Sequence, residues 1–122
     1  MTRLGVGIIG LGVGERHIDG YRQHIAAQVV ALCDIDAGVR ARVGARYPDL
    51  EIIANANDVI DDDRIGIVSI ASYDDAHYSQ VVRALQRGKH VFVEKPLCLT
   101  IEEFRNIRRL LKERPELISH RI

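Results

Sequence analysis

Cysteine is scarce in this chain. Its two residues of that type, Cys33 and Cys98, show no metal-ligand or redox spacing. They read as the reduced thiols of a cytoplasmic protein, with Cys33 inside a strand, and no metal is expected. A surplus of either charge is missing as well. Seventeen basic residues balance seventeen acidic ones, so no net field draws the chain toward nucleic acid or an anionic membrane. No apolar run is long enough to span a bilayer. Residues 1–12 are apolar but lack the cleavage pattern of a signal peptide. Repeats, linkers and low-complexity segments are absent too. What remains is an ordinary soluble globular composition, 47% apolar and 28% charged. At 122 residues the chain can bury a core but is short for a two-domain enzyme.

Strand-like and helix-like stretches alternate along it. Leu4–Ile9 and Val29–Cys33 are short apolar runs bounded by glycines or acids, as buried parallel strands are. Between them Ile18, Tyr21 and Ile25 recur at helical spacing. Ala37–Tyr47 reads as a second helix stopped by Pro48, Glu51–Ala54 as a third strand, and Asn57–Asp63 as a short helix with a turn. The rhythm then repeats. Ile65–Ala71 is a strand, and Asp75–Arg87 a helix with Val81, Val82 and Leu85 inward, ended by Gly88. His90–Val93 is the next strand. Thr100 and Glu103 form a capping box at the head of a helix whose apolar face carries Phe104, Ile107, Leu110 and Leu111. Pro115 interrupts it, and Leu117–Ile122 begins another strand. This order predicts an α/β fold, a doubly wound parallel sheet in three α/β/α layers, as one domain over residues 1–122. Ligands of such sheets sit at the carboxyl ends of the strands, where the strand order reverses. The loops after Ile9, Ala71 and Val93 should open there.

The first of these loops is glycine-rich. Gly10, Gly12 and Gly14, with Val13 between the last two, give G-x-G-x-G, and Glu15 stands where the dinucleotide fingerprint has its third glycine. Gly10 would make the tight turn, Gly12 would let a pyrophosphate approach, and the helix opening near Gly14 would aim its positive end at the ligand. Taken alone, the loop fits equally a turn that merely needs positive φ. Asp34 strengthens the nucleotide reading. With Ile35 beside it, it ends the second strand about 20 residues after Gly12, the interval of a carboxylate that binds ribose hydroxyls. Such a carboxylate repels a 2′-phosphate, so NAD is expected in preference to NADP. Asp36 reads as a helix cap. S-adenosylmethionine sites share this pattern, but the acid they usually carry before the first glycine is replaced here by Ile8 and Ile9. Glu15 either points to solvent or is offset by Arg16. His17 either faces the ligand or packs in the helix.

Residues 68–97, VSIASYDDAHYSQVVRALQRGKHVFVEKPL, resemble the glucose–fructose oxidoreductase, inositol dehydrogenase and MocA family of nicotinamide-dependent oxidoreductases. The strand running into Ala71-Ser72 carries the resemblance, with His77, Gly88-Lys89-His90-Val91 and Glu94-Lys95-Pro96. So does Gly14-x-x-His17, and the likeness extends over essentially the whole chain. It implies a Rossmann fold binding NAD, with Ala71, Ser72, His77, Glu94, Lys95 and Pro96 beside the cofactor. It also implies that Lys95 is catalytic, hydrogen-bonding a substrate hydroxyl as the alcohol becomes a ketone. Two departures stand out. The glycine loop is one residue short of the family's G-x-G-x-x-G-x-x-H, and Ser72-Tyr73 replaces the usual Thr-Pro.

The resemblance further implies a second domain with the pocket for a sugar-like or cyclitol substrate, and a homo-oligomer built through that domain. The chain is therefore expected to be a truncated piece that alone binds NAD(H) weakly and turns over little. A nucleotide-binding module without chemistry and an S-adenosylmethionine domain remain as other readings.

Overall fold

In the computed structural model, which describes residues 3–117 and 119–121, the apolar run Leu4–Ile9 becomes β1, near the middle of a parallel sheet. Among the described residues the sheet has six strands in the order β3-β2-β1-β4-β5-β6. The other strands are β2 (Ala27–Cys33), β3 (Glu51–Ile53), β4 (Ile67–Ile70), β5 (His90–Val93) and β6 (Ser119–Arg121). The helices between them are α1 (Glu15–Arg22), α2 (Ala37–Arg46), α3 (Ala56–Ile60), α4 (Asp74–Gln86) and α5 (Ile101–Glu113). The expected final strand is present as Ser119–Arg121, parallel to β5, while Ile118 and Ile122 lie outside the described residues. No helix among the described residues is long and apolar enough to cross a membrane.

Side-chain alternation along the strands sorts the core into two layers. Val6, Ile8, Val29 and Leu32 point to one face and pack with Ile18 of α1 and Val43 of α2. Ile9, Ala31, Val68, Ile70, Val91 and Val93 point to the other, against α3, α4 and α5. Each large aliphatic side chain taken fully out of water contributes about 1.5–3 kcal/mol, and Ile8, Leu32, Ile70 and Leu85 are all completely buried. The two faces are unequally covered. On the first, beyond α1, Ile67 of β4 and Phe92 of β5 border an open cavity of about 910 Å³ together with Leu4 and Tyr21.

Capping residues set several boundaries as the sequence predicts. The Asp36 carboxylate accepts from the Val39 amide at the head of α2, and Gly88 ends α4 with φ +75°. The Thr100 hydroxyl accepts from the Glu103 amide, while the Glu103 carboxylate reaches back to the Leu99 amide. Two expectations fail. Ile25 does not continue the face of α1, which ends at Arg22, because parallel pairing of Leu4 with Ala27 draws the chain into β2 two residues earlier than predicted. Ile25 is left 79% exposed in the intervening turn. Phe104 is 43% exposed, since the buried side of α5 runs from Ile107 to Leu110, a turn further along the helix.

Candidate functional site

β1 has β2 on one side and β4 on the other, so the order reverses at the carboxyl ends of β1 and β4. There the three glycines do three different jobs. Gly10 has φ +88° and donates its amide to the Cys33 carbonyl at 2.8 Å. A Cβ on it would lie 2.5 Å from the Ala71 backbone. Gly14 is the N-cap of α1, and a Cβ there would lie 2.0 Å from the Gly10 carbonyl oxygen. Gly14 thus packs as the fingerprint's third glycine would. Gly12 differs, for nothing stands within 4 Å of the Cβ it lacks. Its bare backbone borders a cavity of about 650 Å³. An open backbone beside a helix start suits a pyrophosphate, so the residues present fit a dinucleotide.

Val13, Asp34, Ile35, Ala71 and Ser72 border the same cavity. Asp34 does more than the sequence suggests. One carboxylate oxygen accepts from the Leu11 amide and the other from the Asp36 amide, both at 2.9 Å. Each oxygen keeps a lone pair for a ribose hydroxyl. Arg40 donates to the carbonyls of Asp34 and Ile35 at 2.9 and 3.0 Å and so fixes the turn that carries them. Burial, aided by the Asp34 charge, pushes the Cys33 thiol up to about 12, and it stays protonated. Ile35 is 73% exposed at the rim.

Ser72 borders the cavity, but its hydroxyl donates to Gln80 at 2.6 Å, leaving only the oxygen's acceptor capacity for a ligand. His77 is expected, by the resemblance, beside the cofactor. It is 1% exposed and is not on the cavity wall. Its Nδ1 lies 2.6 Å from the Pro96 carbonyl and its Nε2 2.8 Å from the Ser72 carbonyl. The ring therefore straps the loop after β4 to the loop after β5.

That second loop carries Glu94, Lys95 and Pro96, with a cis bond between the last two. None of the three is on the wall of the 650 Å³ cavity. Lys95 is exposed. Glu94 turns toward α1, where His17 Nε2 lies 2.8 Å from its carboxylate, and His17 Nδ1 lies 3.0 Å from the Ser69 hydroxyl. The helix that follows the glycine loop is thus bonded directly to the residue preceding Lys95. Glu15 neither faces the phosphate region nor pairs with Arg16. It is held by Arg42 at 3.0 Å and Arg46 at 2.8 Å, both on α2, which lower its carboxyl below the ordinary 4.5. Ser69 escaped the sequence reading. The signal for it was a lone hydroxyl inside the apolar run IVSI.

The sequence profile of an oxidoreductase family with an NAD-binding Rossmann fold, GFO/IDH/MocA, matches residues 4–121. An inositol 2-dehydrogenase of Klebsiella pneumoniae is 37% identical over 107 residues, 85% of this chain and 32% of that protein. An inositol 2-dehydrogenase/D-chiro-inositol 3-dehydrogenase of Lacticaseibacillus casei is 34% identical over 105 residues, 84% of this chain and 30% of that one. Among solved structures, scyllo-inositol dehydrogenase from Lactobacillus casei, with bound NAD(H) and scyllo-inositol, superposes with a TM-score of 0.88 at 25% identity. That superposition covers 98% of this chain and 36% of the dehydrogenase. The chain spans about a third of the length of these relatives. It belongs to the GFO/IDH/MocA oxidoreductase family and comprises its NAD-binding Rossmann domain. The S-adenosylmethionine reading finds no support in this match.

Proposed function

We propose, with that membership as the premise, that NAD lies along the 650 Å³ cavity with its adenosine ribose at Asp34 and its pyrophosphate over Gly12. The observation that carries this reading is the pairing of the open Gly12 backbone with a carboxylate, that of Asp34, bonded to the amide of the preceding residue, Leu11. Val13 borders both this cavity and the larger one beside Glu94. A ligand running past it from Asp34 heads toward the loop of Glu94 and Lys95. The nicotinamide of NAD, when bound, supplies the hydride acceptor. Lys95 then donates a hydrogen bond to the substrate oxygen and offsets the negative charge that grows there as the alcohol becomes a ketone.

The substrate class we infer is a secondary alcohol of a cyclitol or sugar-like molecule, supported by the cyclitol named for the scyllo-inositol dehydrogenase. We assign turnover to a longer, homo-oligomeric cytoplasmic polypeptide in which this chain is the cofactor domain and a further domain closes over the nicotinamide. Hydride transfer needs a substrate held in near-attack geometry and shielded from water, and an exposed Lys95 offers no such shield. The same exposure favours one other reading, a nucleotide-binding module without chemistry.

Calorimetric titration of the chain with NADH and NADPH tests the cofactor assignment. NADH should bind and NADPH bind more weakly, and no heat with either would refute it. Dehydrogenase assays of the longer polypeptide on inositols and sugars, with and without Lys95→Ala, separate the enzyme from the module. Turnover that disappears with Lys95 supports the enzyme.

A further inference from the structure

Lys95 is exposed, yet the residue before it is the end of an ordered chain of hydrogen bonds. Glu94 can only accept, so His17 Nε2 carries the proton and donates to it at 2.8 Å. In the neutral ring Nδ1 then accepts from the Ser69 hydroxyl at 3.0 Å. Both donors thus point the same way, Ser69 to His17 to Glu94, and bonds aligned in this manner polarise and strengthen one another. The chain crosses α1, β4 and the loop after β5. The Phe92 ring stands nearly perpendicular to those of both His17 and Tyr21, with centroids 5.7 Å and 6.5 Å away. His17 and Glu94 are only 12% and 22% exposed at their side chains, so water competes little for the bond.

We propose that His17 is a positioning residue. Through this relay it fixes Glu94 and so aims the adjoining Lys95 toward the nicotinamide end of the cavity. The proposal rests on the reading of Lys95 as the group beside the substrate. Glu94 points one way from the strand end and is anchored, so the peptide that starts Lys95 has a set direction. Without the anchor, the loop between Val93 and the head of α5 retains the His77 contact to Pro96 and the bond of the Glu94 amide to the Ile70 carbonyl at 2.9 Å, but loses its side-chain hold on the other side of Lys95. Because α1 also follows directly from the glycine loop, the same relay couples the pyrophosphate site to the lysine.

Three substitutions separate aiming from folding. His17→Gln places an N–H near the former Nε2 and should preserve the bond to Glu94. His17→Asn places its amide near the former Nδ1 and should lose it. Ser69→Ala leaves the ring bonded to Glu94 but removes the donor to Nδ1. The direct readout is the nuclear Overhauser contact between the Lys95 side chain and the nicotinamide protons in the chain saturated with NADH. Side-chain nitrogen spectra report the His17 tautomer alongside it. The expected result is a contact present in the wild type and in His17→Gln and lost in His17→Asn, with His17 in the Nε2–H form both in the wild type and in Ser69→Ala, where Glu94 still accepts from it. In the longer enzyme, His17→Asn should lower kcat roughly tenfold to a hundredfold, as a misplaced group does, with KM for NAD little changed and His17→Gln restoring most of the rate. A Lys95 contact that persists in His17→Asn overturns the positioning role while leaving Lys95 beside the nicotinamide. Absence of that contact in the wild type overturns the placement of Lys95 itself, and the proposal with it.

Discussion

Gly14 rests on Gly10 so closely that no side chain can come between them. The missing Cβ of the former would sit 2.0 Å from the carbonyl oxygen of the latter. Gly12, between them in sequence, faces open space. Alanine at these two positions should therefore fail in opposite ways. Gly14→Ala forces backbone apart and should destabilise the chain by about 1–3 kcal/mol, as overpacking does. Gly12→Ala should leave the thermal midpoint unchanged but weaken NADH binding about tenfold or more. Thermal denaturation and titration of both variants check the pair, and equal losses of stability would refute the division of labour.

In the proposed placement of NAD, Asp34 serves both cofactor choice and loop stability, and two substitutions pull these apart. Asp34→Asn keeps an oxygen for the buried Leu11 amide but removes the charge that repels a 2′-phosphate. It should stay near wild-type stability while its preference for NADH over NADPH narrows about tenfold, the equivalent of one 1.4 kcal/mol interaction. Asp34→Ala should narrow the preference too, and should also lose about 1–3 kcal/mol by orphaning the Leu11 amide. Affinities for the two cofactors, with denaturant midpoints, decide the matter.

Lys89 is 8% exposed and donates to the carbonyls of Asp62 at 2.8 Å and Ile65 at 2.6 Å. It holds the turn before β4 to the end of α4. Hydrogen bonds from a charged donor are worth about 1.5–3 kcal/mol, and Lys89→Met removes this donor from both carbonyls, of which that of Asp62 still accepts from the Ile65 amide at 3.1 Å. A loss of that size in urea unfolding is expected, with NADH affinity retained. A loss of affinity at full stability would point instead to a role in binding.

Acid should weaken the fold in a defined window. Hydrogen bonds from Arg64 hold the Asp62 carboxyl down to about 2, from an ordinary 3.8. Arg83 lowers Asp61 and Arg42 lowers Glu15 in the same direction. A carboxyl whose folded pKa lies below its unfolded one adds stability that is complete above the unfolded value and disappears as pH falls through the folded one. The thermal midpoint should therefore hold level down to about pH 4.5 and fall progressively toward pH 2. Asp62→Asn should remove the lowest part of that fall. Salt should flatten the whole response, because these pairs lie at the surface.

The fold was legible because short-range physics dictated most of it. Apolar runs of strand length, cap residues such as Asp36 and Thr100, and Gly88 after α4 each act over a few residues. Their order alone implies a parallel sheet. The glycine loop and Asp34 were legible for the same reason, being two local signals a fixed interval apart. What the sequence concealed depends on pairs distant along the chain. His17 and Glu94 meet across 77 positions, and Glu15 meets Arg46 across 31. Nothing near His77 indicates that its two ring nitrogens face the carbonyls of Ser72 and Pro96. Ile25 misled because helical spacing continued past the point where pairing with β1 had already claimed the backbone.

The sheet's strand order has a bearing on how the molecule is made. β1 leaves the ribosome before the other described strands, and its neighbour β4 is a strand that begins only at Ile67. One of the two hydrogen-bonding edges of β1 therefore waits, its N–H and C=O groups without their strand partner, until β4 has been synthesised. Polypeptides terminated before that residue can pair β1 with β2 alone. Protease protection of nascent chains should accordingly rise in one late step as β4 emerges rather than in proportion to length.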